Sequence, residues 1–440
     1  MTQKEKKLSI IPFVVLVAFS ILGLIFHSTP GPIKTEGLDK GDIAWMLVAS
    51  AMVLLMTPGL ALFYAGMVNA RNIISTMLQS FICMGIISIL WVVVGFSLAF
   101  GESVGGFIGN PTTYFMFKGV LDGAVWGTIP LALFAFFQLK FAVITPALIT
   151  GSFSERIKFT SYILFVCLWS LLIYSPLAHW TWHSDGFLFK LGVLDFAGGT
   201  VVHMSAGCAA LAAALYLGKR KVQMQSNPAN IPFVLVGTGL LWFGWFGFNA
   251  GSSLSASPLA VSAFAVTNTA AAAAGMAWIL FDAVKGKKPS AMGFCIGVVV
   301  GLVAITPAAG YVTVPVSIFI GVAASLVSNL VVELRAKTGI DDTLDVFPCH
   351  GVGGMMGMIM TGIFASSSIN SAVTEQGLFY SNGDFTLFGK HLLALLIVVA
   401  FAFIGSYILL VITNLISPLR VSEEEEKIGL DLTQHAEQLA

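Results

Sequence analysis

The sequence predicts an all-α polytopic membrane protein: eleven transmembrane helices in an inverted five-plus-five repeat, preceded by an N-terminal signal peptide or extra span. Three observations carry that prediction. Only 10% of the 440 residues are charged while 57% are hydrophobic, and the apolar runs are too long and too numerous for the core of a soluble domain. Lysine and arginine concentrate in alternate connections. One spacing also occurs twice, since Asp195 precedes His203 by eight residues and Asp342 precedes His350 by the same offset.

Taken in order, residues 1–30 begin with Lys4, Lys6 and Lys7 and continue as an apolar run. That is a signal peptide or an uncleaved anchor, and no clean small-x-small cleavage site chooses between them. Apolar segments long enough to span follow at 44–66, 72–100, 126–150, 159–179, 199–217, 231–251, 259–283, 290–309, 311–333, 347–366 and 391–418. The eighth and ninth meet near Pro307 and Gly310. The transmembrane domain is therefore expected over 44–418 and a polar tail over 419–440. The five cysteines lie in or beside apolar segments without paired spacing, so neither a disulfide framework nor a metal site is expected. With 22 basic and 22 acidic residues, nothing points to nucleic acid.

One set of connections, with the tail, holds thirteen cations: Arg71, Arg156, Lys158, Lys219, Arg220, Lys221, Lys285, Lys287, Lys288, Arg335, Lys337, Arg420 and Lys427. The other set holds five: Lys34, Lys40, Lys118, Lys190 and Lys390. The positive-inside rule therefore places the start of the first core span outside and the C-terminus in the cytoplasm. On that orientation the fifth and tenth spans run in opposite directions, so Asp195 and Asp342 lie near opposite faces. Eight helical residues rise about 12 Å, which brings both histidines toward the midplane. Gly198, Gly199, Ala206, Gly207, Gly351, Gly353, Gly354 and Gly357 let the two helices approach their neighbours closely. Two opposed five-helix units and one extra helix form a transporter or channel architecture, with its site at the repeat interface.

The stretch DFAGGTVVHMSAGCAALAAALYLGKR, with WFGFNAGSS, SERIKF, ITPAAGYV, DDTLDVFPCHGVGGMMGMIMTGIFA and PLRVSEEEEKIGLD, resembles the Amt/MEP/Rh ammonium transporter family on its Amt/MEP side, over residues 44–435. The resemblance implies a homotrimer in the cell membrane, each subunit with its own apolar pore. It implies uptake of ammonium, and of methylammonium as an analogue, by recruitment at an outer vestibule, deprotonation and conduction of ammonia. No cofactor is implied.

By motif position His203 and His350 are the twin pore histidines. Neutral imidazoles donate to or accept from ammonia without trapping the cation, and can relay its proton. Asp195 matches the family's acid near the outer mouth; it can attract the cation or hold the helix start, and the helix-start sequence DFAGG favours the second. Asp342, its counterpart, is expected to cap the tenth span. Trp182 matches the vestibule tryptophan and Ser252 its hydroxyl, whereas Trp180 reads as an interfacial belt residue. Phe141 and Phe248 match the phenyl gate, and Trp245 is expected to line the pore. Without the motif, either phenylalanine reads as ordinary packing.

Two residues depart from the family pattern. Lys140 lies inside a span beside Phe141, where its ammonium is expected to snorkel or pair away from the pore. Pro348 precedes His350 by two and is best tolerated in the first turn. By composition the acidic tail reads as a solvated terminus; the resemblance, through PLRVSEEEEKIGLD, implies instead a tail that packs on the cytoplasmic loops and couples subunits, with a PII-type regulator docking nearby. The competing readings are an ammonium sensor with little flux and a redox protein using His203 and His350 as haem ligands.

Overall fold

The computed structural model describes residues 3–26, 36–222 and 228–439. Residues 27–30, the end of the predicted N-terminal segment, lie outside that range. Helix α1, Gln3–Ile25, presents exposed apolar side chains from Ile10 onward, and beyond its end Phe26 packs edge-on against Phe115 at 5.4 Å.

Helix α2 spans Lys40–Met67 and is capped by Asp39, whose carboxylate accepts the Asp42 amide. α3 is Ile73–Leu90 extended through a π-helical turn, Trp91–Gly95, into Phe96–Phe100. α4 is Leu131–Phe153. α5 runs Phe159–Trp169, a π turn Ser170–Tyr174, and Ser175–Trp182. α6 is a π turn, Gly199–Met204, followed by Ser205–Leu217. α7 is Ile231–Gly251, α8 Pro258–Val284, α9 Ala291–Ile305 and α10 Val314–Thr338. α11 begins as a π turn, Phe347–Val352, and continues over Gly353–Phe364. α12 is Thr386–Ile416, and the tail holds α13, Glu423–Ile428, and α14, Leu430–His435.

Among the described residues nine of these helices are long and apolar enough to cross a membrane: α2 to α8, α10 and α12. The expected eighth and tenth spans are met by shorter helices, α9 and α11. α9 stops at Ile305 and not at 309, because the Pro307 ring cannot continue the helix ladder. Other boundaries shift as well. The third span starts at Leu131 instead of 126, since the preceding apolar residues form a hairpin, β3 Val125–Trp126 with β4 Ile129–Pro130. A second hairpin, β1 Ser103–Val104 with β2 Ile108–Gly109, lies in the same loop, so the all-helical expectation holds for the bundle and not for this connection. The eleventh span starts at Thr386, five residues before the expected 391.

The connections gather on two opposite faces. On one, Asp39 N–H donates to Thr128 O, Phe187 N–H to Gly106 O and Ser366 N–H to Tyr311 O. On the other, Thr343 N–H donates to Ser152 O, Lys158 N–H to Leu419 O and Ala229 N–H to Val68 O. Consecutive connections fall on alternate faces, the second being the one that carries the tail. α2 lies along α7, α8 against α9 and α10, and α6 against α12.

The tail is docked within the subunit. Arg420 Nη1 donates to Leu217 O at 2.7 Å and Nη2 meets Glu426 Oε2 at 2.8 Å. Asp431 accepts the Ile74 and Ser75 amides at 3.0 and 2.7 Å, capping α3 from a distant part of the chain. Beside it Arg220 grips Asp341 through two bonds of 2.9 Å and Glu155 at 2.7 Å. Burial acts against the Arg220 guanidinium, but bonds to Asp341 and Glu155 raise its pKa above the ordinary arginine value.

Candidate functional site

The two acid-histidine segments meet in the middle of the bundle, and each starts from a carboxylate turned back onto its own helix. Asp195 is buried and accepts Gly198 N–H at 2.8 Å, Gly199 N–H at 2.7 Å, Thr200 N–H at 2.7 Å and the Thr200 hydroxyl at 2.5 Å. Those amides open α6 and would otherwise have no partner. Gly198 sits at φ 118°, where a side chain is strained, and a Cβ there would also strike Val202 at 2.7 Å. The second segment is held more lightly: Asp342 accepts Phe347 N–H at 2.8 Å through one oxygen, and its other oxygen has no partner among the described residues. Pro348 falls in the first turn of α11, where its missing N–H removes no helical bond.

Both histidines lie in π-helical turns, which displace side chains from the regular helical register. The helices carrying them cross backbone on backbone. A Cβ on Gly207 would stand 2.1 Å from Gly351 N, so no larger residue fits. The rings then face each other at 5.5 Å between centroids with an interplanar angle of 25°, and the two Nδ1 atoms are 3.4 Å apart. His203 Nε2 is buried without a partner among the described residues.

Aromatic rings continue from this pair toward the face opposite the tail. His203 stacks on Trp245 at 5.3 Å and on Phe248 at 5.9 Å. Phe248 meets Phe141 at 4.3 Å, and Phe141 meets Trp182 edge-on at 5.8 Å. Trp182 is only partly buried, and its indole N–H donates to Asp195 O at 3.1 Å. Ser252, at the end of α7, donates its hydroxyl to Phe248 O at 2.8 Å. All eight residues singled out from the sequence thus belong to one connected line: Trp182, Asp195, Ser252, Phe141, Phe248, Trp245, His203 and His350.

Between Phe248 and the histidines is a cavity walled by Met56, Leu60, Phe63, Leu241 and Val299, with ≈ 10 Å³ open to the centre of a water-sized molecule, which is about the space for one such molecule. A second space of ≈ 10 Å³ continues past His350 toward the tail, between Tyr64, Leu344, Val346 and Cys349. Among the described residues the walls of the first cavity are, apart from the histidine nitrogens, hydrocarbon, thioether or aromatic; the second adds Tyr64, whose hydroxyl is bonded to Leu148 O, and the Cys349 thiol. Any solute in the first cavity therefore exchanges its hydration for two imidazoles and nothing else polar.

The sequence reading missed Thr306, whose hydroxyl accepts the Trp245 indole N–H at 2.9 Å and fixes that ring. Its only signal was its place within ITPAAGYV. The aliphatic walls carried none, because a Leu that lines a cavity and one that fills a core read alike. Trp180 needs correcting: it is 6% exposed, donating its N–H to Phe107 O in the β1–β2 hairpin and packing on Phe401 at 4.5 Å. It closes the loop onto the bundle and is no belt residue. Lys140 directs its Nζ along α4 to the Phe136 ring, 5.9 Å from the centroid.

A helix bundle with two opposed half-sites meeting at a narrow apolar cavity is the architecture of a small-solute membrane transporter or channel. The chain belongs to the Ammonium Transporter Family, whose model matches residues 44–439. It is 47% identical over 403 residues to an ammonium transporter of Bacillus subtilis (strain 168), covering 91% of this chain and 98% of that protein. Among solved structures it is similar to Saccharomyces cerevisiae Mep2, with TM-score 0.82, 35% identity and 89% of each chain covered. It is also similar to a structure titled Sensor Amt Protein, with TM-score 0.82, 32% identity, and 90% of this chain and 98% of that one covered. The protein is a multi-pass membrane protein of ammonium transport.

Proposed function

We propose that the protein takes up ammonium from the face opposite the tail, that ammonium beside the Phe141–Phe248 rings gives its proton to the unpartnered Nε2 of the neutral His203 ring, and that the ammonia left is conducted past His203 and His350 to the tail face. The observation that carries this reading is the cavity itself: room for one water-sized molecule, hydrocarbon walls, and two facing imidazoles. A small cation held there has lost its water and gained no counter-charge, which is costly. A neutral ammonia has a lone pair and three N–H groups for the same two rings. The order of groups along the line supports the sequence of events. Trp182 offers an indole face to a cation and Ser252 an oxygen; the Phe rings then exclude the hydrated ion.

Proton transfer between the rings is the natural use of their contact, because one Nδ1 donates where the other accepts. Asp195 acts in this scheme through structure, holding the helix start that carries His203. The cation-rich tail face is cytoplasmic and the membrane is the cell membrane. A homotrimer, a PII-type partner at the docked tail, and cleavage or retention of residues 1–30 complete the proposal.

A second reading, a sensor that binds ammonium with little flux, is favoured by the similarity to the Sensor Amt Protein structure. Radiolabelled methylammonium uptake into proteoliposomes separates the two. The transporter reading predicts uptake that saturates, competes with ammonium and falls at least about tenfold in Phe248→Trp, whose larger ring fills the cavity. Binding by calorimetry with no uptake above empty vesicles would establish the sensor.

A further inference from the structure

His391 is a buried histidine that the transport route does not touch. We infer that it is a positioning residue for the imidazole pair, a hydrogen-bonded bridge that fixes the start of α6 against α11; the inference rests on the proton relay proposed above. The ring is 1% exposed and lies in the second turn of α12. Its Nδ1 is 2.8 Å from Met358 O, and its Nε2 is 3.2 Å from the Leu194 amide nitrogen. A carbonyl only accepts and an amide N–H only donates, so both ring nitrogens are assigned: Nδ1 carries the hydrogen and Nε2 the lone pair. A charged ring would turn an N–H onto the Leu194 N–H. The bridge therefore requires the neutral ring.

Its two ends are the two half-sites. Leu194 directly precedes Asp195, whose carboxylate holds the amides that open α6. On the other flank of Asp195, Phe196 N–H donates to Pro307 O at 3.1 Å, so this segment is held on both sides. Met358 belongs to α11, eight residues beyond His350 and about 12 Å along the helix. Among the described residues the only side-chain hydrogen bond running directly between α6 and α11 is the imidazole contact itself. Elsewhere the two helices meet by packing, Gly207 on Gly351 and Gly354 on Met204 and Gly199. Packing on glycine limits approach but does not stop one helix turning on the other. A bonded bridge at the end opposite the tail fixes the crossing angle, and that angle sets the separation of His203 from His350. α12 is seated closely enough to serve: a Cβ on Gly362 would stand 3.1 Å from His391 Cβ and 3.3 Å from Phe388 Cα. Without the ring the Leu194 N–H loses its acceptor, and the segment ahead of Asp195 is released.

Ammonium-jump currents on solid-supported proteoliposomes, with solid-state nitrogen NMR of histidine-labelled protein in lipid, test the bridge. In wild type His391 is expected to be entirely the Nδ1–H tautomer. At equal amounts of folded protein, His391→Leu is expected to lower the current at least about tenfold, since a displacement of about 1 Å in a reacting pair costs up to about a hundredfold. The same variant is expected to shift the nitrogen resonances of His203 and His350. His391→Gln, whose amide has both a donor and an acceptor, is expected to restore current and resonances, which a role in filling space alone does not predict. The wild-type tautomer is read without any substitution, so a charged or Nε2–H His391 overturns the bridge even where a variant does not fold. Wild-type current in His391→Leu, or His391→Gln no better than His391→Leu, would overturn the inference and leave the relay standing. Absence of any wild-type current would contradict the relay itself, and the bridge as its positioning device with it.

Discussion

The Nδ1 atoms of His203 and His350 lie 3.4 Å apart, so in a neutral pair one ring carries its hydrogen on Nδ1 and the other on Nε2. Among the described residues no carboxylate meets either ring to lock that assignment, and a proton arriving at Nε2 of one ring can pass through the Nδ1 contact and leave from Nε2 of the other. Rings in such contact leave no space for a porphyrin between them, which removes the haem reading. Asp195 is where structure and function are most easily confused. Replacing it by alanine orphans three buried amides and a hydroxyl, and at about 1 kcal/mol or more for each the variant should lose at least about 3 kcal/mol of stability. A thermal melt in detergent checks this. Wild-type melting combined with lost uptake would instead make Asp195 an attractor of the cation. At this scale the sequence was informative wherever polar chemistry was sparse: two acids and two histidines at matched offsets stand out from apolar surroundings. Thr306 and Trp180 did not, because their partners, Trp245 and Phe107, lie 61 and 73 residues away in the chain.

Elements carry the histidines into register through two π turns and one glycine crossing. Gly207→Ala places a methyl 2.1 Å from a backbone nitrogen of α11, a contact that no rotamer relieves. It should cost about 2 kcal/mol by overpacking and separate the imidazoles, so that melting temperature and uptake fall together. A variant with unchanged melting would mean the crossing is looser than described. Apolar runs located the helices of the bundle, yet they could not show the π turns, which shift register without changing composition. Hairpins of two-residue strands are too short for any alternation to appear, and β3–β4 therefore read as the start of α4. α9 ends at Ile305, close to Pro307, where the eighth and ninth spans were expected to meet.

For the molecule as a whole, alternate loops collect on two faces, and the tail ties one of them together. His435 packs edge-on to Phe159 at 4.8 Å; burial lowers its pKa below the ordinary 6.5, against the nearby carboxylates of Asp431 and Glu437. The docked tail therefore prefers the neutral ring, and docking is complete above pH 6.5 and weakens as pH falls through that value. Burial raises Asp431, which opposes this only at lower pH, above its ordinary 3.8. Hydrogen exchange at the Ile74 and Ser75 amides, corrected for intrinsic rates, should quicken below pH 6.5 in wild type and lose that dependence in His435→Phe. The alternation of cations between loops made the two faces legible in advance. The tail's contacts with the bundle were not, since those of Arg420 with Leu217 and of Asp431 with Ile74 and Ser75 join residues hundreds of positions apart. The central claim, that ammonium is deprotonated and passed along the two imidazoles, is tested most directly by the current across solid-supported proteoliposome membranes after an ammonium jump. The account predicts a sustained wild-type current that His203→Ala and His350→Ala each abolish or alter in its pH dependence, with protein in the membrane unchanged. Wild-type currents in both variants would contradict it.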